Sequence, residues 1–280
     1  MFRTRLLSGI ALVAIVLAVF IAGGSFLALA LFFVSLIAYQ ELTAACKVRG
    51  EKMTPSPPVL VGCVMTLVYY AVIGLALARD ISVVYPAMVI VIVAAFLAFL
   101  FVYVFTFPKY HANQIMSAMF SFLYGPVMLS FLYLLREGFD DGIYLVWFVF
   151  LASWGSDTCA YCVGVLIGKH KMTPKLSPKK SIEGAVGGIL GAAILFVLYT
   201  HFVVNQYTGM MLSLPLAAVL GAVGALISMV GDLAASAVKR DHEIKDYGKL
   251  IPGHGGIMDR FDSVIVAAPI VFLGIALATG

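Results

Sequence analysis

Residues 231–262 read GDLAASAVKRDHEIKDYGKLIPGHGGIMDRFD. Only 11% of the chain is charged, yet this stretch sets Asp232, Asp241, Glu243, Asp246, Asp259 and Asp262 beside Lys239, Arg240, Lys245, Lys249 and Arg260. An apolar run precedes it and another, 263–279, follows. Runs of that length cross a bilayer as helices, so the polar stretch caps two spans on one side of a membrane. A site at the membrane surface is the expectation.

Working outward, 62% apolar residues and a strongly positive mean hydropathy are too much for a soluble core at this length. The chain is expected to be an all-α polytopic integral membrane protein, since its long Leu, Val, Ile and Ala runs lack the short alternation of a lipid-facing barrel. Nine spans are expected: 6–22, 26–42, 58–78, 83–107, 115–135, 143–167, 183–204, 211 to about 238, and 263–279. The first follows Arg3 and Arg5 and resembles a signal peptide, but its apolar run is long for one. Residues 1–142, with spans one to five, hold almost no ionisable side chain within the helices. Residues 143–280, with spans six to nine, hold several, so the chemistry is placed there. Cys159 and Cys162 form a C-x-x-C spacing on one apolar helix and, with Cys46 and Cys63, are read as packing rather than as a disulfide framework.

Basic residues in loops are retained on the cytoplasmic side during insertion. With nine spans, the loops of one face take sixteen of the eighteen Lys and Arg residues and leave Arg79 and Arg136 for the other. The N-terminus is therefore expected inside, the C-terminus outside, and the polar cluster on the cytoplasmic face of the cell membrane.

Asp157 lies within the sixth span, where an unpaired carboxylate is costly enough to require a partner or a polar cavity. Tyr161 lies one turn on, and Gly155, Gly164 and Gly168 are read as helix-packing surface; the Gly164–Gly168 spacing permits pairing into a homodimer. The following segment, GKHKMTPKLSPKKSIEG, puts Lys179 and Lys180 before Ser181, an N-cap residue for the seventh span, and reads as an anion site. Asp232, Ser236, Lys239 and Arg240 share one helical face. Beyond them Lys245, Asp246, Gly248, His254, Gly255 and Gly256 form a glycine-rich loop whose N–H groups can approach phosphate, and Asp259 and Asp262 follow at i, i+3. Hard carboxylate oxygens beside cations and free N–H groups suit a magnesium nucleotide site.

The run from Ser236 through Lys239-Arg240, Lys245-Asp246, Gly248, Pro252, His254-Gly255-Gly256 and Asp259-Arg260 to Asp262 resembles the signature of the phosphatidate cytidylyltransferases, the CDP-diacylglycerol synthases. Asp157-Thr158 with Ala160-Tyr161, and the Ser-Pro-Lys-Lys segment ending in Glu183-Gly184, are similar to two further blocks of that family, with Ser181 where threonine is usual. The first five spans match only as hydrophobic helices. The resemblance implies transfer of a cytidylyl group from CTP to phosphatidate, with Mg2+ as cofactor. It makes Asp232 and Asp259 metal ligands, supported by Asp262, Asp246 and Asp157. Lys179, Lys180, Ser181, Ser236, Lys239, Arg240, Lys245, Gly255, Gly256 and Arg260 would hold phosphates. His254 would orient a phosphate or act as an acid towards pyrophosphate. The residues leave open one metal ion or two, and a monovalent cation beside them. Membrane lipids are expected partners and nucleic acid is not. A CTP-dependent polyprenol kinase, or a cytidylyltransferase for another lipid phosphate, would need a similar centre and a different acceptor; the full run favours the lipid phosphate. An ion-coupled transporter would need carboxylates along a path to both faces, whereas the charge gathers on one.

Overall fold

The computed structural model describes the backbone of residues 2–48 and 56–279 and the side chains of residues 7–48 and 56–278. It is helical almost throughout. The helices are α1 (Phe2–Ala22), α2 (Gly24–Ala45), α3 (Pro57–Leu77), α4 (Ile81–Thr106), α5 (Ala112–Glu137), α6 (Gly142–Ile167), α7 (Ile182–Tyr207), α8 (Leu214–Asp241) and α9 (Met258–Thr279). Among the described residues α2 to α9 are each long and apolar enough to cross a bilayer, and α1 adds a shorter apolar stretch, Leu7–Ala22. A helix closes its backbone hydrogen bonds within itself, as a chain in hydrocarbon must. Leu75, Ile90, Val104 and Phe105 stay exposed on the helix surfaces, where lipid would meet them. Of the basic residues used to orient the chain, Arg49 and Lys52 lie outside the described residues, as do the side chains of Arg3 and Arg5.

The chain forms two compact units, residues 1–133 with 242–260, and residues 134–241 with 261–280. In the first, buried polar pairs join the helices: Ser35 Oγ meets Tyr70 OH at 2.7 Å, and Tyr69 OH meets Ser130 Oγ at 3.2 Å. Lipid gives helices no hydrophobic reason to associate, and such pairs contribute about 1 kcal/mol each. Tyr39 lies across Gly62 and donates its hydroxyl to the Pro58 carbonyl at 3.1 Å. A π-helical turn, Leu123–Val127, interrupts α5 where Pro126 has no N–H to donate.

In the second unit Phe148 packs on Phe196, ring centroids 4.6 Å apart, and Tyr199 donates its hydroxyl to the Tyr144 carbonyl at 2.9 Å. Cys159 packs against Gly191, and Cys46, Cys63, Cys159 and Cys162 are all free thiols. A π-helical turn at Leu151–Gly155 stands directly before Ser156 and Asp157. The wider turn shifts the register of all that follows it, and so decides which way Asp157 faces. Gly231 brings α8 against α9: a side chain there would overlap Val266 and crowd the Asp262 carbonyl. The two helices therefore close at the level of Asp232 and Asp262.

The lysine-rich segment expected as a loop is an antiparallel hairpin, β1 (Lys171–Thr173) and β2 (Ser177–Ser181), with Lys171 opposite Ser181. Successive strand residues point to opposite faces, which separates two lysines that sequence adjacency had paired: Lys179 is exposed and Lys180 half-buried. Ser181 ends the strand and caps α7, its Oγ accepting the Gly184 N–H at 3.1 Å, while Gly164 and Gly168 leave room for that hydroxyl. Ser181→Ala is expected to cost about 1 kcal/mol of stability, read as a lower thermal unfolding midpoint in detergent.

Candidate active site

One polar centre belongs to the second unit and is assembled from four elements. β2 presents Lys180, α6 Asp157, α8 Asp232 and Lys239, and α9 Asp262. The Lys180 ammonium is in direct contact with Asp232 Oδ2. Asp157 lies within electrostatic reach of Lys180 and Asp232, and Asp262 within reach of Asp232, Lys239 and Asp157. Asp262 is buried and its Oδ1 accepts the N–H of Ser263 at 2.8 Å. Ser236 is half-buried one turn from Asp232 on α8, whereas Arg240 and Lys179 are exposed. Three carboxylates and two ammonium groups this close make a centre whose charge balance depends on what else it binds.

The second cluster belongs to the first unit and is built on the loop before α9. The Ile251 N–H donates to the Gly255 carbonyl at 2.8 Å and the His254 N–H to the Ile251 carbonyl at 2.9 Å, closing a tight turn over Pro252 and Gly253. Gly255 has φ +85°, in the left-handed region, and a Cβ there would press on the Asp259 carboxylate. Asp259 is buried, and its Oδ2 accepts N–H groups from Tyr247 at 2.8 Å and Gly256 at 3.0 Å. The N–H of Gly256, expected to be offered to phosphate, is thus donated inside the loop. Ser8, on α1, donates to the Pro252 carbonyl at 3.1 Å and lies 2.8 Å from His254 Nδ1. A polar cavity of about 530 Å³ opens here, lined by Lys245, Asp246, Lys249, His254, Gly255 and Arg260 among others. Arg260 Nε is buried with no hydrogen-bond partner among the described residues. A guanidinium N–H in that position is suited to an anionic oxygen.

The sequence-predicted residues therefore fall into two groups. Lys180, Asp157, Asp232, Lys239 and Asp262 come together in one unit; Lys245, Asp246, His254, Gly255 and Arg260 line a cavity in the other. Sequence reasoning gave Glu41 no part in the site. It is buried, its Oε1 accepts the N–H of Ile257 at 3.2 Å, and its Oε2 accepts that of Met258 at 2.8 Å. The available signal was the start of α9 itself: Gly255-Gly256-Ile257 supplies no Ser, Thr, Asp or Asn as a cap, so its first N–H groups needed an acceptor from elsewhere.

The donors suit a magnesium ion in kind, since all are hard carboxylate oxygens. Asp232 already holds a cation, the Lys180 ammonium. Among the described residues no three His, Cys, Asp or Glu side chains are drawn round one point as a formed metal site would have them.

Fold and polar centres together define a helical polytopic membrane protein whose charged side chains gather on its C-terminal helices and the loop before α9. The sequence model described as the cytidylyltransferase family matches residues 3–278, and the chain belongs to that family. It is 30% identical over 279 residues to a phosphatidate cytidylyltransferase of Haemophilus influenzae, covering 96% of each chain. Phosphatidate cytidylyltransferases of Staphylococcus saprophyticus and Staphylococcus epidermidis are 38% and 42% identical over 145 residues, about half of each protein and of this one.

Proposed function

We propose that this chain transfers the cytidylyl group of CTP to phosphatidate, giving CDP-diacylglycerol and pyrophosphate, at the cytoplasmic face of the cell membrane. The observation that carries the reading is the match to the cytidylyltransferase family over residues 3–278, in a chain whose α6, α8, α9 and β2 set Asp157, Asp232 and Asp262 among Lys180 and Lys239.

A phosphatidate oxygen attacks the α-phosphorus of CTP, a new P–O bond forms there, and the bond to the β-phosphate oxygen breaks. The nucleophile is already an anion near neutral pH, so little general-base work is needed. The barrier lies in bringing two polyanions together. Lys180 and Lys239 in one unit, and Lys245, Arg260 and His254 in the other, neutralise phosphate charge, with Arg260 offering its buried Nε–H to a phosphate oxygen. His254 orients a phosphate through its ring nitrogen or gives a proton to the leaving pyrophosphate. Asp232, Asp262 and Asp157 would hold Mg2+ in their unit, and Asp246 and Asp259 are the carboxylates offered by the other. When bound, the ion screens phosphate charge and stabilises it as it develops on the leaving group. Lys180, held against Asp232, would offer its ammonium to a phosphate oxygen.

The test uses purified protein in detergent with phosphatidate and CTP labelled at the α-phosphate. Labelled CDP-diacylglycerol should form with Mg2+ present and fall to background with excess EDTA. Cytidylyl transfer carries the α-label into lipid; a CTP-dependent lipid kinase would leave it in CDP. No labelled lipid from the parent protein would overturn the proposal.

A further inference from the structure

Among the described residues the N-terminal helices carry no charged centre of the kind found in α6, α8 and α9, and their one buried carboxylate is spent on the loop before α9. Glu41 sits at the C-terminal end of α2, and both of its oxygens are used on that loop, one on the N–H of Ile257 and one on that of Met258. These are the first orphan donors of α9, and a carboxylate at a helix N-terminus satisfies both the hydrogen bonds and the helix dipole. The cap is supplied from 216 positions away in the sequence. The surroundings are shaped to admit it: a Cβ at either Gly248 or Gly256 would overlap the Glu41 carboxyl group. One residue beyond Met258 stands Asp259, whose Oδ2 gathers Tyr247 and Gly256. The other side of the same loop is held from α1 through Ser8, Pro252 and His254.

We propose that Glu41 is a positioning residue for the nucleotide-binding loop, a cap lent by α2 to α9 through which the N-terminal helices set the conformation of residues 248–260. This rests on the cytidylyltransferase reading for the identity of the nucleotide. A buried carboxylate is costly unless its oxygens are satisfied, and here the satisfying donors are the ones that decide where α9 begins. Moving that point displaces Asp259, and with it the turn carrying His254 and Gly255 and the cavity that Arg260 lines.

The test is Glu41→Gln in the full-length protein, with amide hydrogen exchange and steady-state kinetics read side by side. Glutamine keeps the shape but turns an NH2 group towards one of the two N–H donors, losing a charge-assisted bond. Exchange at Ile257 and Met258 should rise at least about tenfold, and kcat/KM for CTP should fall at least about tenfold, each the loss of one such bond. The KM for phosphatidate and exchange in α3 and α4 should stay within about twofold of the parent, a split that general loosening of the fold would not produce. Unchanged exchange overturns the proposal, and so does faster exchange with kcat/KM for CTP unaltered, which would make Glu41 architectural alone. If Glu41→Gln does not fold, Gly256→Ala displaces the same carboxyl group and should give the same pattern. A parent that makes no CDP-diacylglycerol sinks the reading of the reaction instead. The positioning role is then decided by exchange at Ile257 and Met258 together with CTP binding, which must both change.

Discussion

Asp232→Ala is expected to lower kcat for CDP-diacylglycerol formation by about 10³-fold or more, the equivalent of several kcal/mol of electrostatic stabilisation at roughly 1.4 kcal/mol per tenfold. Asp232 is the carboxylate that Lys180 contacts and that both Asp157 and Asp262 sense. Removing it takes away a carboxylate proposed to hold Mg2+ and leaves the Lys180 ammonium, half-buried at the end of β2, without its partner. Asp232→Asn separates the two effects, because the amide oxygen still accepts a hydrogen bond from Lys180 but carries no charge. This variant should fold like the parent, with an unfolding midpoint within a few degrees, and remain inactive across a Mg2+ titration. Activity near the parent level in Asp232→Asn would remove Asp232 from the reaction.

The second large effect is expected at Asp259. Asp259→Ala removes the acceptor of the Tyr247 and Gly256 N–H groups, and each buried donor left unmatched costs about 1–3 kcal/mol. The loop would then relax towards solvent, and turnover should fall by about 10²-fold or more, with KM for CTP rising as the loop loses its shape. Asp259→Asn keeps the volume and one oxygen. It should preserve more of the exchange protection at Tyr247 and Gly256 than alanine does while losing comparable activity, if the charge as well as the hydrogen bonds of Asp259 is used. Parent-like turnover in both variants would show that neither is needed.

Much of this protein is local and therefore legible. Span lengths follow from runs of apolar residues, and the structure places helices over all nine runs, with α9 beginning earlier, at Met258, so that Asp259 stands on its first turn and Asp262 on its second. Ser181 reads as a cap and is one. Asp157 is conspicuous because a carboxylate inside a hydrophobic helix is rare. The hairpin at 171–181 was not legible: its lysines and prolines carry no alternating apolar pattern, and its strands are held by backbone pairing that composition does not record. Nor were the π-helical turns, one of which aims Asp157, since an extra residue in a turn leaves almost no mark on hydropathy.

Glu41 and Ser8 show where the boundary lies. On their own helices each is a polar residue near an end, and nothing in the neighbouring sequence marks it for a role in the loop before α9. Their partners, Ile257 and Met258 for one and Pro252 and His254 for the other, stand more than two hundred positions away. The sequence by itself determined the membrane class, the order of the spans, the family and the inventory of charged side chains, because hydropathy, capping and motif spacing are properties of neighbouring residues. Only the tertiary structure decided which carboxylate holds Lys180, which one caps α9, and why Gly231, Gly248 and Gly256 must be glycines. Those depend on the approach of distant segments to within a side chain's reach, a distance that no local pattern encodes.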